Sequence, residues 1–121
     1  MVDQTFDEGF VQALDRARRA ATSANAMEPR AVSAVYDGAS HLVVIRLKSG
    51  ATFTFPPDIA QGLSGASAQD LANVEITPSG DALHWEALDA DLSVPDLLMG
   101  VFGSKSWMRR LHQQWIQEQV S

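Results

Sequence analysis

The length, composition and charge of this 121-residue chain exclude several classes of protein. With 45% hydrophobic and 20% charged residues it suits one globular domain that folds without metal or disulfides, and its lack of cysteine excludes thiolate metal sites and thiol nucleophiles. A net charge of -6 argues against a duplex-DNA binder, while an acidic N-terminus and no long apolar run predict a cytoplasmic protein without a membrane span.

The first predicted element is an N-terminal helix over about residues 5–24. Apolar side chains recur every three or four residues there, as one face of a helix requires. Thr5 and Glu8 fit a capping box, in which each side chain satisfies a backbone amide of the other residue. We assign residues 1–29 to an N-terminal helical extension.

From Ala31 the apolar pattern changes to a period of two, which predicts strands. Three strands are expected to form an antiparallel meander over residues 31–55, with turns at residues 37–40 and 48–50. The side chains predicted to face inward are Val32, Ala34, Tyr36, Val43, Ile45, Leu47, Phe53 and Phe55. A small sheet with one apolar face is the expected result.

Shorter elements follow the meander. Pro56 and Pro57 end the sheet because proline donates no amide hydrogen. A capped helix start is predicted at residues 67–70, and further short strands at residues 74–77 and 82–85.

Two helices are predicted to close the chain. Ser93 and Pro95 begin the first, and Gly103 is expected to end it. Ser104 or Ser106 caps the second. Its broad apolar stripe consists of Trp107, Met108, Leu111, Trp115 and Ile116. The predicted fold is therefore α+β, a small antiparallel sheet of a meander plus short strands, flanked by an N-terminal helix and two C-terminal helices.

Several motifs occur in a characteristic order over about residues 30–103. They are Tyr36-Asp-Gly, Phe53-Thr-Phe-Pro-Pro57, His84-Trp85 and Leu88-Asp-Ala-Asp-Leu-Ser-Val94. In this order the chain resembles the DUF2442 family of small bacterial domains. The resemblance implies a compact α+β domain for which no catalytic residues are established.

The same resemblance bears on partners. Longer members of the family carry an appended helix-turn-helix, and some accompany partners in toxin-antitoxin-like gene pairs. Here residues 104–121, predicted to be a C-terminal amphipathic helix, are expected to be too short for a helix-turn-helix, which disfavours direct nucleic-acid binding.

The C-terminal helix is the preferred functional feature. Trp107, Arg109, Arg110 and Trp115 lie within three turns of one helix, and tryptophan and arginine dominate protein interfaces. Two interpretations stay open. The stripe either docks on the sheet and buries both tryptophans, or protrudes and engages a partner or a second copy of the chain.

A second candidate surface is acidic. No lysine or arginine lies between Ser49 and Ser104, whereas eight carboxylates do. They are Asp58, Asp70, Glu75, Asp81, Glu86, Asp89, Asp91 and Asp96. These side chains either serve solubility or form an acidic face that meets a basic partner.

The densest set of potential ligands surrounds His84. With Glu86, Asp89 and Asp91 it could hold a divalent cation, but the spacing is not diagnostic, and Asp89 and Asp91 are more simply turn and cap residues. Trp85 is expected to fill the core with His84 at its rim. We predict no catalytic residue, metal or cofactor.

Taken together, these features predict a non-enzymatic protein-binding module. It would be an antitoxin-like or regulatory companion of a bacterial defence or toxin-antitoxin-like system, and a homo-oligomer is compatible with it. The alternative is an acidic inhibitor that mimics nucleic acid and occupies a basic groove on a nucleic-acid-binding partner.

Overall fold

The computed structural model describes residues 9, 11–13, 16 and 28–120. The strands are β1 (Ala31–Asp37), β2 (Leu42–Leu47), β3 (Thr52–Phe55), β4 (Val74–Ile76), β5 (Ala82–Trp85) and β6 (Ala90–Ser93), and the helices are α1 (Ala68–Ala72), α2 (Val94–Leu98) and α3 (Lys105–Val120). Residues 9, 11–13 and 16 are helical, in agreement with the predicted N-terminal helix. The capping box predicted at Thr5 and Glu8 lies outside the described residues.

The strands form two antiparallel sheets. The first has the order β1-β2-β3, which is the predicted meander, and the second has the order β4-β5-β6. The α+β fold is thus confirmed, with the predicted short strands gathered in a sheet of their own. In the part of the chain that the structure describes, we find no helix with the length and apolar character needed to cross a membrane.

One hydrophobic core is shared by both sheets, α1 and α2. Its largest side chains are Trp85, Phe55, Ile45, Leu63, Leu71, Leu83 and Leu97. The indole of Trp85 is fully buried, and its Nε1 donates a hydrogen bond to the backbone oxygen of Leu71 at 3.0 Å. The prediction of an inward Trp85 is confirmed, and its single polar atom is satisfied.

A β-bulge near the start of β1 changes which side chains face the core. The pairing of β1 with β2 shifts between Ala31 and Ser33. Ala31 is buried, but Val32 is 57% exposed. The prediction that Val32 faces inward is wrong, because the extra residue of a bulge breaks the period of two. Ala34 and Tyr36 pack against the core as expected.

The turn between β4 and β5 joins the two sheets. The backbone amide of Ala31 donates to the backbone oxygen of Gly80 at 2.7 Å. Gly80 has φ +76, and a Cβ at this position would lie only 2.6 Å from the oxygen of Ala31. This close contact between backbones requires glycine.

The short helices begin where their capping residues predict. The Ser67 hydroxyl accepts from the amide of Asp70 at the start of α1, and the Ser93 hydroxyl accepts from the amide of Asp96 at the start of α2. Each serine satisfies one of the unpaired amides of the first turn.

Candidate functional site

The base of α3 is anchored to the segment that follows β3. Trp107 Nε1 donates a hydrogen bond to the backbone oxygen of Ile59 at 2.8 Å. The amide of Ser104 donates to Gln61 Oε1 at 2.7 Å, and the amide of Gln61 donates in turn to the backbone oxygen of Phe102 at 2.8 Å. These bonds fix the direction in which α3 leaves the domain.

Gly103 permits this anchoring. A Cβ there would lie 2.6 Å from Trp107 Cδ1 and 2.7 Å from Gln61 Cβ, both too close for real atoms. The prediction that Gly103 ends the preceding helix is wrong. That helix ends at Leu98, and Gly100 with φ +84 follows it, so a left-handed glycine after the helix provides the stop.

Burial decreases along α3 from its base to its tip. The half-buried side chains are those near the base, Trp107, Met108 and Leu111. Every residue from 112 to 119 is exposed, including Trp115 at 56% and Ile116 at 43%. The predicted apolar stripe is therefore divided: its first half docks on the domain and its second half projects.

An apolar groove of about 400 Å³ runs beside Trp115. Ile59 and Phe102 of the domain and Leu111 of α3 contribute to its walls. The ring of His112 stacks on Trp115 with 6.1 Å between ring centroids. The exposed indole of Trp115 therefore lies next to a second apolar surface, the walls of this groove, which is also open to solvent.

The two predicted interface arginines lie in different surroundings. The guanidinium carbon of Arg110 lies 5.6 Å from the centre of the Trp107 ring, which is a cation–π contact. Arg109 lines a separate groove with Lys105. On a helix with 3.6 residues per turn, Arg109 and Trp115 fall on different faces. The four predicted residues therefore do not form one patch.

The outward face of the second sheet carries a row of ionisable side chains. His84 on β5 pairs with Glu75 on β4 and with Asp91 on β6, and directly paired residues point to the same side of a sheet. His84 Nδ1 lies 2.6 Å from Asp91 Oδ1, and its Nε2 lies 3.2 Å from Glu86 Oε2. The imidazole is held between two carboxylates.

The strand that carries Asp91 was not predicted. The expectation that Asp91 is a turn or cap residue is wrong, because it lies in β6, where buried Ala90 and Leu92 alternate with it. Asp89 is a turn residue as predicted, with φ +47 in the left-handed region that aspartate tolerates. The alternation over residues 90–93 was the available signal, but four residues are too few to outweigh two aspartates that are typical of turns.

The carboxylates beside His84 raise the pKa of its imidazole above the ordinary value of 6.5. The hydrogen bond to Asp91 is the main cause, and the bond to Glu86 adds to it. Because the folded pKa is the higher one, this interaction stabilises the fold fully below pH 6.5 and is lost as pH rises through the folded pKa.

We expect Asp91→Asn to lower the pKa of His84 more than Glu86→Gln does. Asp91 forms the shorter bond and is the larger cause of the shift. An NMR titration of the imidazole carbon-bound protons measures each pKa. Glu75→Gln is the control, since it removes a carboxylate from the same face that has no bond to His84; equal pKa values in all three variants would contradict the assignment.

The arrangement around His84 does not suit a metal ion. Each ring nitrogen is occupied by a different carboxylate, so Glu86 and Asp91 lie at opposite edges of the imidazole and do not share a point with it. Across residues 28–120 and the described positions before them, no three His, Asp or Glu side chains are grouped so that they could hold a metal.

Three of the predicted acidic residues line one groove. Asp89, Asp91 and Asp96 surround a volume of about 490 Å³ that extends to Gly103 and Ser104 at the base of α3. Among the described residues, none that lines this groove is lysine or arginine. The groove lies at the edge of the second sheet and carries negative charge.

The other predicted carboxylates have local roles. Asp81 accepts hydrogen bonds from the hydroxyls of Ser79 and Thr77, which lower the pKa of Asp81, with Ser79 the larger cause. Asp70 lies in the first turn of α1, where its negative charge suits the helix dipole. Neither lines the acidic groove.

Asp58 belongs to a cluster that sequence reasoning missed. Its Oδ2 lies 3.2 Å from His41 Nε2, and His41 Nδ1 lies 2.6 Å from the hydroxyl of Tyr36. His41 has φ +56, in the left-handed region that histidine adopts more often than most residues. Tyr36 and His41 belong to the β1–β2 hairpin, but Asp58 lies 17 residues after His41, so no local pattern in the sequence could have added it to the cluster.

Comparison with known proteins identifies the domain that carries these features. The model of DUF2442, a protein family of unknown function, matches residues 31–103. The chain belongs to the DUF2442 family. The match covers β1 to β6 and α2 and ends at Gly103, directly before α3.

Two solved structures are similar to this DUF2442 protein. A protein of unknown function from Rhodospirillum rubrum, solved by crystallography, shares 56% identity over 67% of this chain and 98% of its own, with a TM-score of 0.65. An uncharacterized protein from Chromobacterium violaceum, solved by NMR, shares 33% identity over 67% of this chain and 74% of its own, with a TM-score of 0.61. No curated protein matches the chain.

Proposed function

We propose that this protein is a non-enzymatic protein-binding module that acts in the cytoplasm as an antitoxin-like or regulatory companion of a bacterial defence or toxin-antitoxin-like system. One observation carries the proposal. Trp115 is 56% exposed on the projecting half of a helix whose base is anchored to the domain. An indole presented in this way is suited to insertion into a pocket of a partner.

Burial of apolar surface favours binding of a partner at Trp115. A buried tryptophan contributes large apolar area to an interface, and the groove beside Trp115 offers further apolar wall from Ile59 and Phe102. Because its base is already anchored, α3 loses little conformational freedom when it binds a partner. This smaller entropic cost raises the affinity. The family model ends before α3, so we attribute partner choice to this helix.

Two of the three histidines are tied to neighbouring side chains. Both ring nitrogens of His41 and of His84 lie within hydrogen-bond distance of a surface side chain. In the proposed module these two histidines position surface side chains.

Trp115→Ala is expected to abolish partner capture while the thermal midpoint stays within about 2 °C of the parent protein. The variant removes the exposed indole without opening the core. The measurement is affinity purification of the tagged full chain from lysate of the native host, followed by mass spectrometry and a melting curve.

Val35→Ala provides the matched control for this experiment. Val35 is 56% exposed, like Trp115, but lies on β1. It should retain the same partner. If Trp115→Ala keeps the partner, or if Val35→Ala loses it as well, the tip of α3 is not the interface and the proposal fails.

The acidic groove favours a second candidate function. Asp89, Asp91 and Asp96 line it, and no described residue that lines it is lysine or arginine, as an inhibitor that mimics nucleic acid would require. In that case binding to a basic partner should weaken strongly between about 0.05 and 0.2 M salt. A dissociation constant that does not depend on salt would exclude the mimic.

A further inference from the structure

Two grooves of opposite charge meet at the base of α3. The first is the acidic groove lined by Asp89, Asp91 and Asp96. The second, of about 820 Å³, is lined by Lys105 and Arg109. Val101 and Gly103 contribute to both, so the segment that contains them is the common wall.

Asp91 is paired with His84, but the other charged side chains in the two grooves have no ion-pair partner among the described residues. Among the described residues, neither Lys105 nor Arg109 takes part in an ion pair, and the same holds for Asp89 and Asp96. The common wall separates the two signs. Each groove is thus available to a surface of opposite charge.

We infer that this surface is the interface of a homodimer with two-fold symmetry. In such an interface the same patch occurs twice, so that a contact from residue i to residue j is matched by one from j to i. A patch that carries both signs side by side is complementary to itself. With the axis near Val101, Lys105 and Arg109 of each copy meet the acidic groove of the other.

Apolar surface at the centre supports a second copy as the occupant. Val101 is 40% exposed in the common wall, and Met99 is 81% exposed two residues before it. Interfaces commonly bury an apolar centre within a polar rim. A partner of one charge would satisfy only one groove, whereas a second copy satisfies both.

The dimer and the proposed partner binding depend on different side chains of α3. The dimer uses Lys105 and Arg109, which do not line the groove beside Trp115, although Met108 and His112 line both grooves. Trp115→Ala should therefore leave the dimer intact. Dimerisation and partner capture are measured separately, so a failure of this inference can be told apart from a failure of the proposed function.

The test is sedimentation velocity of the full chain over a range of concentrations. We expect a dimer whose dissociation constant rises about tenfold or more in K105E/R109E and in D91K/D96K, because like charges then face each other. An equimolar mixture of these two variants should form a heterodimer, since the reversed charges are again complementary.

R46E/K48E is the control variant for the charge reversal. It changes the net charge by the same amount as K105E/R109E at two exposed residues of the first sheet and the turn after β2, and it should dimerise like the parent. Circular dichroism confirms that each variant is folded. A parent chain that stays monomeric up to about 1 mM, or a dimer that K105E/R109E does not weaken, overturns the inference.

Discussion

Replacing Trp85 with alanine is expected to lower the free energy of unfolding by about 3–5 kcal/mol. The indole is fully buried between the sheets, and its loss leaves a cavity that the surrounding side chains fill only in part. It also removes the donor for the backbone oxygen of Leu71. Since small domains are stable by only about 5–15 kcal/mol, the variant should be close to unfolding.

Urea denaturation followed by circular dichroism measures this loss. Trp115→Ala is the matched control, because the same substitution at an exposed tryptophan should change stability by no more than about 0.5 kcal/mol. Trp85→Phe separates the two causes, since it keeps most of the volume and loses the hydrogen bond. A parent-like urea midpoint for Trp85→Ala would falsify the role assigned to this residue.

Gly80→Ala is expected to destabilise the fold by about 2–3 kcal/mol. A left-handed alanine costs about 1–2 kcal/mol, and displacement of the backbone contact with Ala31 weakens a hydrogen bond worth about 1 kcal/mol. The structure places the new methyl group 2.6 Å from the Ala31 oxygen, so one of the two sheets must shift. Thermal and urea unfolding both report the change.

Gly50→Ala separates conformational cost from the clash. Gly50 also has a positive φ, +96, but no atom lies within 4 Å of the position that a Cβ would occupy. Gly50→Ala should lower the free energy of unfolding only by the conformational cost of a left-handed alanine, about 1–2 kcal/mol. If both substitutions cost the same, the contact between Gly80 and Ala31 does not hold the sheets together.

Strands and core positions were predicted most reliably where the period of the apolar residues agreed with the turn residues on either side. The period of two over β2 placed Val43, Ile45 and Leu47 in the core, and the structure buries all three. Flanking turns fixed the register, because a slip by one residue would have exposed this apolar set. The family motif around Trp85 similarly indicated a core position that the structure confirms.

The errors arose where a tertiary contact decides the local structure. The bulge after Ala31 cannot be read from the alternation of β1, since it depends on pairing with β2. The role of Gly103 depends on Gln61, which is distant in the chain. Likewise the apolar stripe of α3 looks continuous in the sequence, and only the contact with Ile59 determines that Trp107 docks while Trp115 projects.

The anchoring of α3 at its base gives the helix a mechanical property. Trp115 comes ten residues after Lys105, so it stands about 15 Å along the helix axis from the joint. At that lever length, a tilt of about 10° at Gly103 and Gln61 displaces the indole by about 3 Å. Force applied by a bound molecule at the tip is therefore transmitted as torque to the joint, and through Gln61 to the edge of the hydrophobic core.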